Sequence, residues 1–286
     1  MTLFDTADGV LSASQREAWA HDGYLVLPDF IDEASCAALR RRAAELVDAF
    51  EPIGVAVQLD SPEYEAYVLD AGDRIHYFLE PESVSSDGRL LRPKHRAMGK
   101  IGRALHDLDP IFDTFCRTPR LAALAADLEI QQPLLLQSQY IFKQPSIGRA
   151  FMVHQDATFM VTEPASVVAF WFALEDADEE NACLQVLPGA HSNALRSRFR
   201  RKDGGDSGVE VFDPTPWPED CFVPISVRRN SLVLMHALLP HASPENRSLR
   251  TRESYVLHVI DGACHYPTDN WLRRSPELPM RGFDRR

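Results

Sequence analysis

The chain of 286 residues contains no Cys-x-x-Cys pair, and its five cysteines (Cys36, Cys116, Cys183, Cys221, Cys264) are scattered and odd in number. This spacing argues against a zinc knuckle or a disulfide framework and points to reduced thiols in a cytoplasmic protein. No apolar stretch approaches the roughly 18 residues that a membrane span requires. Residues 1–10 show neither the basic start nor the apolar run of a secretory signal. Positive charge is also scarce. Against 42 Asp and Glu stand 30 Lys and Arg, a formal net charge of -12, which argues against a nucleic-acid partner because phosphate binding needs a basic face. No repeat, low-complexity tract or Gly/Ser-rich linker divides the chain, so residues 1–286 read as a single domain.

What the sequence does contain is the composition of an ordinary globular protein, 45% hydrophobic and 25% charged, with enough chain for a proper core. The N-terminal part, about 1–130, reads as largely helical. Ser14 with Glu17 suggests a capping box opening a short helix that Gly23 stops. Residues 24–27 form a strand, and Asp32 caps a helix running to about Phe50. Residues 51–70 are irregular, 73–80 read as a strand, and 97–108 and 120–128 as helices. From about 131 to 262 the pattern becomes short apolar strands at 134–143, 150–154, 166–174, 183–187, 221–227, 231–236 and 253–261, separated by turn residues. Such a run predicts a mainly β fold with flanking helices, a sandwich or jelly roll. The charged segment 196–207 reads as a solvated surface loop, with a lid or an anion-attracting patch as its functional alternative.

The chemistry centres on His154-Gln155-Asp156. On an extended strand, residues i and i+2 share a face, so an imidazole and a carboxylate stand side by side. A distant histidine at the end of another strand, His241, completes two histidines and one carboxylate on one side of a metal. That ligand set leaves open positions and suits non-haem Fe(II) oxygenases. A 2-oxo diacid chelating such a metal needs a buried cation for its far carboxylate. Arg252, on the following strand, supplies the planar fork that matches a carboxylate, with Ser254 on the same face. His236 competes with His241 as third ligand, and Arg250, sharing face parity with Arg252, is the second choice as clamp. His191 reads as a turn residue near the site, and no partner pattern emerges for His21, His76, His95, His106, His258 or His265.

Together with Glu180-Asn181-Ala182-Cys183-Leu184, Pro188-Gly189-Ala190-His191-Ser192, Gln137 to Pro145, Gly72-Asp73-Arg74-Ile75 and Asn270-Trp271-Leu272, these motifs resemble the phytanoyl-CoA dioxygenase family over nearly the whole chain. The resemblance implies a double-stranded β-helix and Fe(II) held by His154, Asp156 and His241. It implies 2-oxoglutarate as cosubstrate, contacted by Arg252, Ser243, Trp171 and Gln139, with a further cation at Arg96. The family has methionine and lysine where this chain has Gln139 and Arg96. The implied reaction is hydroxylation of a C–H bond of a small organic substrate (an acyl-CoA, a carboxylic acid or a secondary metabolite) using O2, with release of succinate and CO2. Related halogenases lack the carboxylate ligand that Asp156 provides. Phe78, Phe159 and Met160 are candidates for the substrate side. Two rivals remain open: a divalent-metal hydrolase or isomerase on the same scaffold, which has no need of Arg252, and a catalytically silent jelly-roll binding protein.

Overall fold

A computed structural model of the chain describes residues 10–51, 57–58, 64–69, 72–85, 89–202 and 207–284. Helix α1 (Ala13–Asp22) is followed by β1 (Tyr24–Leu27), α2 (Glu33–Ala49), β2 (Val57–Gln58), α3 (Tyr64–Leu69) and β3 (Ile75–Leu79). Next come α4 (Lys94–Ala97), β4 (Met98–Arg103), α5 (Leu105–Leu108), α6 (Pro110–Cys116) and α7 (Pro119–Asp127). The remaining strands are β5 (Pro133–Ile141), β6 (Phe151–His154), β7 (Val168–Ala173), β8 (Leu184–Val186), β9 (Ser197–Arg201), β10 (Ser207–Val211), β11 (Val223–Ile225), β12 (Leu232–His236), β13 (His241–Ser243) and β14 (Ser254–Asp261).

The strands form a jelly roll. An eight-stranded sheet runs β1-β12-β7-β14-β5-β4-β3-β2 and faces a four-stranded sheet, β11-β8-β13-β6. Strands β7 and β14 are buried at every position. Their alternation explains why. Phe170, Phe172, Tyr255 and Leu257 point outward into a core shared with α2, α6 and α7, while Ala169, Trp171 and Val256 point inward to residues of the smaller sheet. A sheet covered on both faces reads as a continuous apolar run, which is how these two strands appear in the sequence.

Several expectations need correction. The capping box of α1 is Ser12 with Gln15, not Ser14 with Glu17: Ser12 Oγ accepts from Gln15 N, and Gln15 Oε1 from Ser12 N, so both orphan donors are satisfied earlier in the chain. Gly23 does close the helix, at φ 75. The helix expected over 97–108 is instead the strand β4 between two single turns. Gly99 and Gly102 weaken a helix, whereas β3 and β5 satisfy the extended backbone on both edges. Helix α6 was not anticipated, although Asp109, accepting from the N–H groups of Ile111 and Phe112, and Pro110 at the first helical position are its sequence signals. The segment 196–207 is no simple loop: β9 and β10 pair as an antiparallel hairpin, with 203–206 outside the described residues. The irregular stretch expected at 51–70 falls mostly outside them as well. Strands β1, β3 and β4 join the main sheet, so the part before residue 131 contributes strands as well as helices.

A buried charge cluster ties the C-terminal segment to this frame. Asp107, with a fully buried side chain, lies 2.6 Å from Arg117, 2.7 Å from Arg281 and 3.2 Å from Arg274. Burial alone would raise its pKa, but hydrogen bonding to His106 and the surrounding guanidinium groups hold it well below the usual carboxylate range. A depressed carboxyl contributes stability at neutral pH that is lost as acid protonates it. Asp107→Asn leaves the buried Arg274 without its carboxylate and the buried Arg117 and part-buried Arg281 with Asp113 alone, and is expected to cost about 3–5 kcal/mol. Urea denaturation at pH 7 checks this, and a loss below about 1 kcal/mol, the scale of a surface pair, contradicts it.

Candidate metal centre

Strand β13 pairs with β6 so that His241 stands directly opposite His154, with ring centroids 4.3 Å apart. Gln155 is extended, and Asp156 opens a short 3-10 turn, so the carboxylate turns to the same side as His154. Asp156 Oδ1 lies 3.7 Å from His154 Nε2 and 3.8 Å from His241 Nε2. The three ligand atoms all fall within 4.8 Å of one another, the one such group of metal-binding side chains found among the described residues.

Backbone carbonyls set both tautomers. His154 Nδ1 lies 2.8 Å from Met152 O, and His241 Nδ1 lies 2.9 Å from Leu239 O. A carbonyl only accepts, so each Nδ1 carries the hydrogen and each Nε2 turns its lone pair toward the shared space. Burial, then the neighbouring His154, pushes His241 down to about 4. Burial opposes ionisation of Asp156, but His258 and His241 bring it well below the usual carboxylate range. Burial disfavours charge on His154 as well, yet the hydrogen bond to Asp156 raises it overall. Two imidazoles and one anionic oxygen converging on one point fit a divalent transition metal with positions left for small ligands.

Behind the centre lies a cationic wall. Arg252 is 1% exposed, and its guanidinium stands 5.4 Å from the Trp171 ring. It donates to Ser254 Oγ at 3.2 Å and Ser243 Oγ at 3.5 Å, while its Nε has no partner. Burial pushes it down to about 10. Lys143, also buried, donates to Arg149 O at 2.6 Å and is pushed down to about 6 by burial and by Arg252. Among the described residues no carboxylate lies within ion-pair distance of Arg252, Lys143 or Lys100. Gln139, half-buried, stands between Gly102 and Val256 across the sheet, and Val256 pairs in turn with Trp171.

Some expected residues sit elsewhere. Arg96 is exposed on α4 and borders a surface groove with Arg40, Glu175 and Arg250, because that turn precedes the strand that enters the barrel wall. Of the two buried cations on β4, Lys100 and Arg103, the one nearer Arg96 in the chain is Lys100, 5% exposed, its Nζ 4.6 Å over the Phe78 ring. A helical reading of 97–108 concealed it; period-two alternation along β4 would have found it. Arg250 is exposed and paired with Asp178 at 2.8 Å and Glu180 at 3.2 Å, so it is not the buried clamp. His236 lies outside the ligand group. Its ring packs 6.1 Å from Trp19 and 5.4 Å from His191, which places His191 there as well rather than at the metal centre. Phe159 is 37% exposed with its ring 6.0 Å from His154, and Met160 lines an apolar cavity of about 190 Å3 with Ala157, Leu195, Ala237 and Leu238. Phe78 is fully buried against Lys100, in the same apolar cluster as Met160 and Ala157 but not among the residues lining that cavity. His258, to which the sequence assigned no role, lies 3.2 Å from Asp156 Oδ2. It shares strand parity with Ser254 and Val256, the signal that would have revealed it.

Residues 19–254 match the phytanoyl-CoA dioxygenase family model. The chain is 38% identical over 283 residues to phytanoyl-CoA dioxygenase domain-containing protein 1 of Bos taurus, covering 94% of this chain and 97% of that protein. Two solved structures share the fold at lower identity. One is EctD from S. alaskensis with 2-oxoglutarate and 5-hydroxyectoine, 19% identical with a TM-score of 0.63 over 92% of this chain and 81% of that one. The other is the non-heme alpha ketoglutarate dependent carbocyclase SnoK from nogalamycin biosynthesis, 19% identical with a TM-score of 0.62 over 99% and 97%.

Replacing Asp156 or His241 by Ala is expected to weaken binding of Mn(II) or Fe(II) by at least about 10-fold, on the scale that metal-site residues contribute. His236→Gln should stay within about 3-fold of the unmodified protein, short of the tenfold that about 1.4 kcal/mol represents. Anaerobic equilibrium dialysis reads both. Equal loss in His236→Gln and His241→Ala contradicts the ligand set.

Proposed function

The chain belongs to the phytanoyl-CoA dioxygenase family, and from that premise we propose that it is an Fe(II)- and 2-oxoglutarate-dependent dioxygenase that hydroxylates a C–H bond of a small organic substrate. The observation that carries this is Arg252, a buried guanidinium with two hydroxyl partners and no carboxylate. A charge taken out of water without a counter-ion is costly. A dianionic cosubstrate relieves that cost, and Arg252, Ser243 and Ser254 form the cradle for one of its carboxylates.

His154, Asp156 and His241 would hold the iron, and Arg252, Ser243, Trp171, Gln139 and Lys100 would surround the cosubstrate. When bound, iron together with 2-oxoglutarate supplies O2 activation, with succinate and CO2 as coproducts. The chain's own contribution is orientation. The fixed tautomers of His154 and His241 hold their Nε2 lone pairs ready without rearrangement, and Arg252 fixes which end of the diacid faces the metal. Phe159 at the open rim and Met160 in the apolar cavity would hold the C–H-bearing part of the substrate near His154 and shield it from water. A zinc hydrolase on the same triad has no use for a buried guanidinium that lacks a carboxylate.

Anaerobic addition of Fe(II) and 2-oxoglutarate should produce the weak visible absorption of a chelated 2-oxo acid, and aerobic incubation should release succinate. Arg252→Ala should weaken 2-oxoglutarate binding by about 2–5 kcal/mol, the scale of a truncated buried charge pair, while Arg250→Ala stays near the unmodified value. Absence of both absorption and succinate, with metal bound, favours the hydrolase.

Lys143 adds a pH signature. Burial and Arg252 push its pKa down to about 6, so its ammonium is mostly deprotonated at pH 7. An anion seated at Arg252 favours the charged form and raises that pKa, so 2-oxoglutarate binding at pH 7 should take up protons. Calorimetry in buffers of different ionisation enthalpy measures this, and net proton release contradicts it.

A further inference from the structure

Only one oxygen of Asp156 faces the imidazoles. Oδ1 lies 3.7 and 3.8 Å from His154 and His241 Nε2, whereas Oδ2 lies 3.2 Å from Nε2 of His258 on β14. His258 is 3% exposed, and its other nitrogen, Nδ1, meets the Gln137 side-chain amide at 3.4 Å. The far end of this chain of bonds sets its direction. Arg103 has only N–H donors and gives one to Gln137 Oε1 at 3.0 Å. Gln137 therefore turns its NH2 toward His258, with Met160 Sδ 2.9 Å from the same nitrogen. An amide NH2 only donates, so His258 Nδ1 accepts and the ring hydrogen sits on Nε2, where it donates to Asp156 Oδ2.

We propose that His258 is a positioning residue for the metal: it occupies the second oxygen of Asp156, so that the carboxylate grips through Oδ1 alone. The proposal rests on the metal reading of His154, Asp156 and His241. A carboxylate free at both oxygens can swing to a two-oxygen grip and take up a position needed by the cosubstrate or O2. Held on both nitrogens, the His258 ring keeps Asp156 in the one-oxygen pose before any metal arrives. Gln137 and Arg103 act through His258. Arg103 is itself held over Trp271 at 4.8 Å and Phe78 at 5.6 Å, so the chain of bonds starts in the barrel wall and ends on the metal ligand. Four polar side chains buried in a row are costly unless each is satisfied, and outer partners of metal ligands commonly carry such an arrangement.

His258→Phe keeps the ring volume and removes the donor; His258→Gln restores an amide N–H near the former Nε2. In Mn(II) titrations followed by EPR, His258→Phe should bind roughly 10–100-fold more weakly than the unmodified protein, and His258→Gln should recover most of that loss. Gln137→Leu should give a smaller loss. In the metal-free protein, long-range 1H–15N NMR should show the His258 hydrogen on Nε2, identified by its disappearance in His258→Gln. Metal affinity unchanged in His258→Phe, equal losses in the Phe and Gln variants, or the hydrogen on Nδ1 would overturn the proposal while leaving the metal centre intact. Failure of the unmodified protein to bind Mn(II) would overturn the metal centre, and the proposal with it.

Discussion

Opposite one another in the ladder between β6 and β13 stand His154 and His241, and every other feature of the site depends on that register. A slip of one residue would turn one imidazole to the far face of the smaller sheet and leave a lone histidine beside Asp156. The register is protected from both sides. Strand β13 also pairs with β8, placing His241 opposite Val186, and the Nδ1 atoms of both histidines are tied to carbonyls two residues back in the chain. The metal-binding geometry is therefore a property of the backbone ladder, and the fold pre-pays the orientation that catalysis requires.

The second feature is an imbalance of charge. Arg252, Lys143 and Lys100 are buried in the barrel with no carboxylate within ion-pair distance among the described residues; burial pushes Lys143 down to about 6 and Lys100 well below the ordinary lysine range, so Arg252 carries the uncompensated charge. Glu80, the acid acting on both lysines, is pushed up to about 7 by burial, so it is only partly ionised at neutral pH. Elsewhere the chain handles buried charge differently. Around Asp107 and Asp113 three arginines are each paired with a carboxylate, and the cluster serves to hold the C-terminal segment. The contrast between arginines paired with Asp107 and Asp113 and Arg252, which has only hydroxyl partners, separates structural from ligand-binding charge.

The sequence made much of this legible. The short apolar runs between turn residues after residue 131 located the main strands, since strands covered on both faces are continuous apolar runs. His154, Asp156 and His241 come together in the structure, and Arg252 meets Ser243, with the two histidines paired across the ladder and Asp156 turned toward them by the 3-10 turn. What escaped was set by tertiary context. Met98–Arg103 carries apolar residues at helical spacing, and only its two glycines and the waiting edges of β3 and β5 make it a strand. That error hid Lys100, while Arg96 came from the family resemblance alone. His258 was passed over because a lone histidine in an apolar strand carries no local signal; its partner, Asp156, is remote in sequence and meets it only through the fold. The hairpin of β9 and β10 was invisible because its arginine-rich composition resembles a solvated loop. Its cations are in fact engaged: Arg198 with Asp269 at 2.5 Å, and Arg200 with Glu210 at 2.6 Å.

The central claim is that three side chains form one metal centre with a carboxylate anchor behind it. A crystal structure grown anaerobically with Mn(II) and 2-oxoglutarate tests it most directly. The account predicts one metal bonded to Nε2 of His154, Oδ1 of Asp156 and Nε2 of His241, with the distal carboxylate of the diacid on the Arg252 guanidinium. Metal bound without His241, or a diacid lying away from Arg252, would contradict it.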